Sequence, residues 1–329
     1  MTTLRPWLAS TWDGLCARIA AQRFPHALLV TGASGLGKRD LVAALVARLL
    51  CPTPRDDGFA CGLCRGCQLR AAGTHPDRVA VTLEARDDGK LRTEITIDQI
   101  RALGERFASR PAFGGWQVVT IDPADRMNVA AANALLKTLE EPSANTALIL
   151  VADEPARLPA TIRSRCQRIE LRPPDLSTAR AWLMAQDVAP VAADEALLLA
   201  DGNPGAAKAM LDAEVGRMVD VLIQDMGDAA RGRSLAAIAA RWGEQDNDAL
   251  FAMLARLVLL AMRPMPEVQS LPRVAAMARL TAPADFRKLQ AWWDHLNLAR
   301  ARLSTPLRKD LAIIELLDEW RAAVNAGAA

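Results

Sequence analysis

A glycine-rich segment near the N-terminus has the residue types and spacing of a phosphate-binding loop. In TGASGLGKRD, Gly32, Gly37 and Lys38 match G-x-x-x-x-G-K-[ST], and Gly35 lies within the loop. Such a loop turns backbone N–H groups toward phosphates at the start of a helix, and its lysine reaches the β- and γ-phosphates. The last position should be a hydroxyl that holds Mg²⁺, but it is Arg39, which has five donors and no acceptor. The pattern therefore predicts the architecture of a nucleotide site without its magnesium ligand.

A second signal is the apolar run Trp116–Asp122, which ends in an acid. Asp122 lies at the position where a carboxylate helps to hold Mg²⁺ in phosphoryl-transfer sites. The next position would need a Glu to activate water, and Pro123 carries neither acid nor base. Asp125 is predicted to cap the following helix instead. Together the two signals favour a loop kept as a strand-to-helix connector, and nucleotide binding without hydrolysis stays open.

Four cysteines lie close together in the chain as C-x₉-C-x₂-C-x₂-C, namely Cys51, Cys61, Cys64 and Cys67. The segment that holds them is rich in Gly, Pro and charge, with too few apolar residues to fold alone. A tetrahedral Cys₄ zinc site would hold it together, and four thiolates leave no open position, so the zinc would be structural. An unligated reduced loop and an iron–sulfur cluster are the alternatives. His75 is predicted to be a turn residue rather than a ligand.

The composition indicates a globular chain without a strong overall electrostatic attraction to nucleic acid or membrane. Its 329 residues suffice for two or three domains, with 51% hydrophobic and 24% charged residues. The formal charge of +2 creates no global field. The sequence shows neither a run of about 18 apolar residues nor the apolar centre of a secretory signal, so a cytoplasmic location is expected. Thiols stay reduced there, which favours a metal for the clustered cysteines and packing for Cys16 and Cys166.

The elements that must position these residues alternate between strands and helices in the first half of the chain. The predicted strands are His26–Thr31, Asp77–Glu84, Trp116–Asp122 and Thr146–Ala152, and the predicted helices are Leu41–Leu50, Thr96–Phe107 and Asp125–Glu141. Thr96 and Gln99 have the spacing of a capping box. This alternation implies a parallel sheet covered by helices on both faces.

The pattern changes at Leu171–Ser177, where two prolines end the α/β region. Every later apolar pattern that we identify has a helical period. We therefore predict an α/β domain over 1–170 that includes the cysteine module at about 51–67. A small helical domain follows over 171–212, and a larger helical domain over 213–329.

Three segments make the chain resemble the AAA+ subunits of the bacterial DNA polymerase III clamp loader. They are GLCRGCQLRAAGTHPD (62–77), AANALLKTLEEP (131–142) and LPATIRSRC (158–166). The resemblance covers the whole chain and is strongest over about 20–170. It implies a RecA-like α/β AAA+ domain with an inserted zinc module, a small helical lid and an all-α collar. It also implies assembly with delta and gamma/tau subunits into a hetero-pentamer that loads the sliding clamp on primed DNA.

The resemblance gives a role to Arg165 in the SRC motif. In this family that arginine reaches the γ-phosphate in a neighbouring subunit, so Arg165 is implied to be an arginine finger acting in trans. Spacing alone would favour an ordinary surface cation, because Arg163 and Arg168 lie close by. Active relatives also carry a lid arginine in a G-S-x-R stretch. The matching stretch here is Gly202–Met210, which has Gly205 at that position.

Three parts needed for hydrolysis in cis are therefore absent together, at Arg39, Pro123 and Gly205. This predicts a subunit that does not hydrolyse ATP itself. Two alternatives belong to other classes of protein. The first is an active ATPase that tolerates Arg39. The second is an independent zinc-dependent nucleic-acid-binding module, although its cysteine loop mixes basic and acidic residues and has a single aromatic residue.

Overall fold

The computed structural model describes residues 4–86, 88–107, 111–245, 247–263, 265, 268, 270–302 and 309–325. The chain divides between Thr178 and Ala179 into two compact units. The division lies close to the change of pattern that the sequence shows at Leu171–Ser177. The first unit contains the sheet, and the described residues of the second unit form helices, turns and loops.

A five-stranded parallel sheet forms the centre of the first unit. Its strands are β1 (Ala27–Thr31), β2 (Arg78–Val81), β3 (Gln117–Ile121), β4 (Thr146–Ala152) and β5 (Gln167–Glu170). They lie in the order β2-β3-β4-β1-β5, and each neighbouring pair is parallel. Every residue of β1, β3 and β4 is buried, because a parallel sheet is covered on both faces. The predicted parallel sheet is confirmed, and β5 is a strand that the prediction lacked.

Helices cover the two faces of this sheet. They are α1 (Ala9–Ala20), α2 (Lys38–Leu49), α4 (Ile97–Phe107), α5 (Val129–Glu140) and α6 (Ala160–Arg163). Between α2 and α4 in the chain lies α3 (Arg65–Ala71), which carries Cys67. Alternate strand residues serve opposite cores: Leu29 packs in the core of α4, α5 and α6, and Leu28 in the core of α1 and α2. At the start of α4 the N–H of Thr96 donates to Gln99 Oε1 at 3.0 Å, which is one half of the predicted capping box.

The start of α5 differs from the sequence prediction. The cap is Asn128, whose side chain accepts a hydrogen bond from the N–H of Ala131 at 2.9 Å. The prediction that Asp125 caps this helix was wrong, because the helix begins later than expected. Asp125 is buried, and its carboxylate accepts from the N–H groups of Asp153 at 3.4 Å and Glu154 at 3.1 Å. It therefore fixes the segment that follows β4.

The second unit is built from helices with two apolar clusters. The helices from α7 onward are α7 (Leu176–Met184), α8 (Pro190–Leu199), α9 (Pro204–Asp212), α10 (Val215–Ala230), α11 (Leu235–Gly243), α12 (Asn247–Ala261), α13 (Pro272–Thr281), α14 (Phe286–Arg302) and α15 (Lys309–Val324). The smaller cluster joins α7, α8 and α9, and the larger one includes Trp242, Phe251 and Trp320. The boundary predicted near 212 stays a prediction. In the part of the chain that the structure describes, no helix has the length and apolarity to cross a membrane.

Candidate functional site

Three segments that carry polar residues meet at the carboxyl edge of the sheet. The glycine loop follows β1, Asp122 follows β3, and Asp153 follows β4. These strands are neighbours in the order β3-β4-β1. Ligands of parallel α/β sheets bind outside the carboxyl ends of the strands. The structure therefore brings Asp122 to the glycine loop, as the sequence predicts, and adds Asp153, which the sequence reading did not single out.

The glycine loop has a backbone conformation that favours glycine. The φ angles of Gly32, Gly35 and Gly37 are +138°, +94° and +88°. A Cβ on Gly32 would also clash with the carbonyl oxygen of Leu171, so a side chain is excluded there by its neighbour as well. The loop then leads directly into α2. The strand, loop and helix of a phosphate-binding site are thus all present.

The N-terminal segment packs against this loop. The Arg5 guanidinium donates to the carbonyl oxygen of Gly35, and the indole N–H of Trp7 donates to the carbonyl oxygen of Leu36 at 3.0 Å. Arg5 Nε also lies 3.3 Å from a carboxylate oxygen of Asp40. These contacts hold the loop carbonyls from outside and limit the freedom of the loop.

Lys38 is turned inward rather than toward a ligand. Its side chain is 1% exposed, and it forms an ion pair with Asp153 Oδ1. The ammonium also donates to the carbonyl oxygens of Gly32 at 2.5 Å and Ala33 at 2.8 Å. Of the three donors of the ammonium, two are used by these carbonyl oxygens, and the Asp153 carboxylate lies beside it as the opposite charge. The lysine that would reach a phosphate is therefore committed to its own loop.

Arg39 bridges the two carboxylates at the sheet edge. Its Nε and Nη2 donate to the two oxygens of Asp122 at 2.9 and 2.8 Å, a bidentate pair. Nη2 also donates to Asp153 Oδ2 at 3.2 Å. With Lys38, the cluster holds two cations and two carboxylates. The guanidinium thus lies beside the acid that would attend a divalent ion in a nucleotide site.

The pKa shifts at this cluster favour the charged forms. Burial alone raises the pKa of Asp153, but hydrogen bonds and charge from Lys38 and Arg39 outweigh it, so the pKa lies below its ordinary value. Burial likewise lowers the pKa of Arg39, and its bonds to Asp122 and Asp153 outweigh that effect, so the pKa is raised. Both shifts have one cause, which is the mutual pairing of the four groups. The cluster is therefore neutralised from within.

The four clustered cysteines converge on a single point. Their Sγ atoms lie 3.6 Å apart for Cys51 and Cys61, 3.9 Å for Cys51 and Cys64, and 4.0 Å for Cys61 and Cys67. All four atoms lie within 4.8 Å of one another. A tetrahedral site with zinc–sulfur bonds of about 2.3 Å has sulfur–sulfur edges of about 3.8 Å. The donor set therefore fits a closed zinc site.

Backbone N–H groups around the cysteines support thiolate ligands. The N–H groups of Leu63 and Cys64 donate to Cys61 Sγ at 3.4 and 3.3 Å, and they lower the pKa of Cys61 to about 6. The N–H of Cys67 donates to Cys64 Sγ at 3.4 Å, so Cys64 also caps α3. Burial raises the pKa of Cys67 to about 12, which a bound dication would offset because ligand thiols bind as thiolates.

The remaining histidine and cysteine candidates lie outside this group of sulfurs. His75 is buried, and its Nδ1 accepts from the N–H of Asp77 at 3.2 Å, as in a tight turn. Cys166 is buried in the sheet core, and burial raises its pKa to about 11. Burial also raises the pKa of Cys16, which is half-buried. These groups are packed thiols and a turn imidazole, and none of them belongs to the four-cysteine group that could hold a metal ion.

Arg165 lies at the surface between α6 and β5. Its side chain is 38% exposed. Nε donates to Glu140 Oε1 at 2.9 Å, Nη2 lies 2.6 Å from the same oxygen, and Nη1 donates to the carbonyl oxygen of Thr161 at 3.1 Å. The guanidinium is thus held at the protein surface, away from the interior of the sheet.

The parallel sheet and the glycine loop between β1 and α2 define the class of protein, a P-loop α/β protein. A family model described as DNA polymerase III, delta subunit, matches residues 8–175. DNA polymerase III subunit delta' of Escherichia coli is 34% identical over 322 residues, which is 95% of this chain and 93% of that protein. The Pseudomonas aeruginosa subunit delta' is 40% identical over 206 residues, or 62% of this chain and 60% of that protein. The chain belongs to the delta' family of DNA polymerase III subunits.

A solved structure shows a more distant likeness. A DNA polymerase III gamma subunit-related protein from Thermotoga maritima is 16% identical, with a TM-score of 0.43, over 95% of this chain and 99% of that chain. The assignment to the delta' family depends on the sequence matches. Those matches confirm the resemblance to clamp-loader subunits that the segments at 62–77, 131–142 and 158–166 indicate.

Proposed function

We propose that this chain is a clamp-loader subunit that does not hydrolyse ATP itself and that supplies Arg165 to the ATP site of a neighbouring subunit. Membership of the delta' family supports the role in the DNA polymerase III clamp loader. The observation that carries the non-hydrolysing part is the pairing of Arg39 with Asp122 and Asp153. Together these observations support a subunit whose own nucleotide site would be closed and whose surface arginine would act at the site of a neighbour.

The closed site follows from what each residue can donate or accept. In an ATPase a hydroxyl and a carboxylate hold Mg²⁺ against the β- and γ-phosphates. Here Arg39 stands in place of the hydroxyl and donates to both carboxylate oxygens of Asp122. Lys38 donates to a carbonyl oxygen of its own loop. Pro123 supplies no base, and Gly205, the second residue of α9, supplies no cation in place of a lid arginine. All of these features act against hydrolysis in cis.

The competing proposal, an active ATPase, is tested on the isolated chain. We expect no turnover of saturating ATP with Mg²⁺, because the site lacks both its metal ligand and its base. A Lys38→Met variant serves as the control, since any true P-loop activity depends on this lysine. An ATPase activity that co-purifies with the chain and is lost in the Lys38→Met variant would establish the active ATPase instead.

The finger is tested with Arg165→Ala in a reconstituted loader. Arginine fingers in GTPases contribute about 10³-fold or more, so we expect hydrolysis at the affected site to slow by at least tenfold. In single-turnover hydrolysis this appears as the loss of one equivalent of the fast phase. Arg163→Ala is a matched control, because Arg163 is an exposed arginine two residues away. Unchanged kinetics for Arg165→Ala in an intact assembly would remove the finger from the proposal.

The remaining parts of the proposal concern the zinc and the partners. Cys51, Cys61, Cys64 and Cys67 would hold one structural zinc, which supplies order to the module and no catalytic position. The second unit would provide a small lid and a collar, through which delta and gamma/tau subunits join a hetero-pentamer. The sliding clamp and primed DNA would be handled by the whole assembly. Tight, salt-sensitive DNA binding by the isolated chain would favour the alternative of an independent zinc-dependent nucleic-acid-binding module.

A further inference from the structure

The contact between Arg165 and Glu140 gives the surface arginine a fixed direction. Glu140 is the last residue of α5, and Arg165 follows α6, which packs against α5. We propose that Glu140 is a positioning residue for Arg165. Its carboxylate binds the Nε and Nη2 side of the guanidinium and orients the remaining N–H donors toward the nucleotide of a neighbouring subunit. This inference rests on the finger role proposed for Arg165.

The contact between Arg165 and Glu140 leaves some N–H donors of the guanidinium available for a phosphate. Nε and Nη2 both contact Glu140 Oε1, at 2.9 and 2.6 Å, and Nη1 donates to the carbonyl oxygen of Thr161 at 3.1 Å. These contacts use three of the five N–H groups of the guanidinium. They leave one N–H on each terminal nitrogen, a pair that suits the oxygens of a phosphate.

The backbone segments that carry Glu140 and Arg165 are held in place by buried neighbouring residues. Leu139, the neighbour of Glu140, and Ile162 of α6 are buried in the same apolar core, so the backbones on both sides of the pair are held in place. Cys166, the neighbour of Arg165, belongs to that core as well. A carboxylate on such a rigid base restricts the rotamers of a long side chain before it meets its target. The restriction reduces the entropy that the arginine would otherwise lose on reaching the phosphate.

The ion pair between Arg165 and Glu140 contributes little to the stability of the fold. The side chains of Arg165 and Glu140 are 38% and 51% exposed, and ion pairs between such exposed side chains contribute little to stability. A carboxylate gripping an arginine at the surface is therefore better explained by the direction that it gives the guanidinium. The adjacent Glu141 offers a comparison, because it is equally acidic and exposed.

The test measures single-turnover hydrolysis in a reconstituted loader that carries Glu140→Ala. We expect the phase that depends on Arg165 to slow by about two- to fivefold, or about 0.4–1 kcal/mol in the barrier. The ATP dissociation constant should stay unchanged, because a finger acts in the transition state. Glu140→Gln keeps an acceptor oxygen and should retain most of the rate. Glu141→Ala, with assembly checked by gel filtration, should behave like the parent loader.

A double variant separates positioning from a structural role. If Glu140 acts through Arg165, Glu140→Ala has no further effect in an Arg165→Ala loader. An equal loss in that background would overturn the proposal, and so would a Glu140→Ala loader as fast as the parent while Arg165→Ala is slow. A faster Glu140→Ala loader would also overturn it, because Glu140 would then compete with the phosphate. If Arg165→Ala itself changes nothing, the finger fails first and the positioning role fails with it.

Discussion

Asp153 is the residue around which the glycine loop is organised. It pairs with the ammonium of Lys38 and accepts from Nη2 of Arg39, while Asp122 accepts from Nε and from the same Nη2. Charges this close to a protein interior are stable only when they are paired and hydrogen-bonded. The pairing is complete within the chain, so a divalent ion is not needed to balance the two carboxylates. At the scale of the residue, the site is an internal salt-bridge cluster on a phosphate-loop scaffold.

Replacing Asp153 by Asn tests this cluster. At pH 7 we expect a loss of about 1–3 kcal/mol in unfolding free energy, because the Lys38 ammonium loses its charged partner. The pKa of Asp153 is lower in the folded state than its ordinary value of about 3.9. Its ionised form therefore contributes stability that is complete above that pH and is lost as the pH falls through the folded pKa. The difference between parent and variant should shrink below about pH 4.

Urea unfolding at pH 7, 5 and 3.5 provides the measurement. Asp13→Asn is a suitable control, because Asp13 is an exposed carboxylate on α1. It should change the unfolding free energy by less than about 0.5 kcal/mol at each pH. A loss for Asp153→Asn that is the same at all three pH values would argue against a paired carboxylate.

The sequence reveals the parts of this cluster that are local in the chain. Gly32 and Lys38 belong to a contiguous pattern, and Asp122 follows an apolar strand. Asp153 completes the cluster from a distant segment, and its signal, an acid just after a fully buried strand, gains meaning only once β4 is known to lie beside β1. Asp125 was misassigned because a cap is defined by the first residue of the helix, which a sequence pattern locates only to within a few residues.

At the scale of the element, we expect the cysteine module to depend on its sulfurs more than on apolar packing. Its one aromatic residue, Phe59, stacks on Trp12 of α1 with ring centroids 4.5 Å apart. The indole N–H of Trp12 donates to the carbonyl oxygen of Asp57 at 3.2 Å. These contacts attach one side of the module to the sheet domain. The spacing of the cysteines predicts the ligand set because a closed tetrahedral site requires four donors on a short loop.

Cys61→Ser should therefore loosen the module without unfolding the sheet. We expect the zinc content to fall from about one per chain toward zero, because a closed structural site needs all four ligands. Hydrogen exchange should accelerate over 51–71, whereas β1 and β4 keep their protection. Cys16→Ser is the control, since Cys16 lies outside the ligand set and should leave the metal content unchanged. Full zinc content and unchanged exchange in Cys61→Ser would contradict a Cys₄ site.

The strands show where sequence reasoning succeeds and where it stops. β1, β3 and β4 are mostly apolar and do not alternate with charged residues, so burial on both faces is visible in the sequence itself. β5 was missed because its residues are largely polar and exposed. It is defined by its pairing with β1, in which Leu28 stands opposite Gln167. An edge strand of this kind is set by its neighbour, and the sequence alone does not contain that information.

At the scale of the whole molecule, helical periodicity predicts the second unit but not how its helices are joined. Arg273 of α13 joins three of them. Its Nη1 and backbone N–H donate to the two oxygens of Glu195 on α8, at 2.5 and 2.9 Å. Nε and Nη2 donate to the oxygens of Asp220 on α10, at 2.8 and 3.0 Å. Glu195 is 4% exposed, so this arginine is the partner of a buried carboxylate and connects the smaller helical region to the larger.

Arg273→Ala should therefore weaken the second unit as a whole. Glu195 would keep one N–H partner and lose its cation, which we expect to cost about 2–4 kcal/mol. The effect should appear as faster hydrogen exchange in α8, α10 and α13 and as a lower urea midpoint. Arg217→Ala is the matched control, because Arg217 of α10 is 82% exposed and its ion pair with Glu214 spans one helical turn. Equal effects of the two substitutions would show that the connection through Arg273 does not hold these helices together.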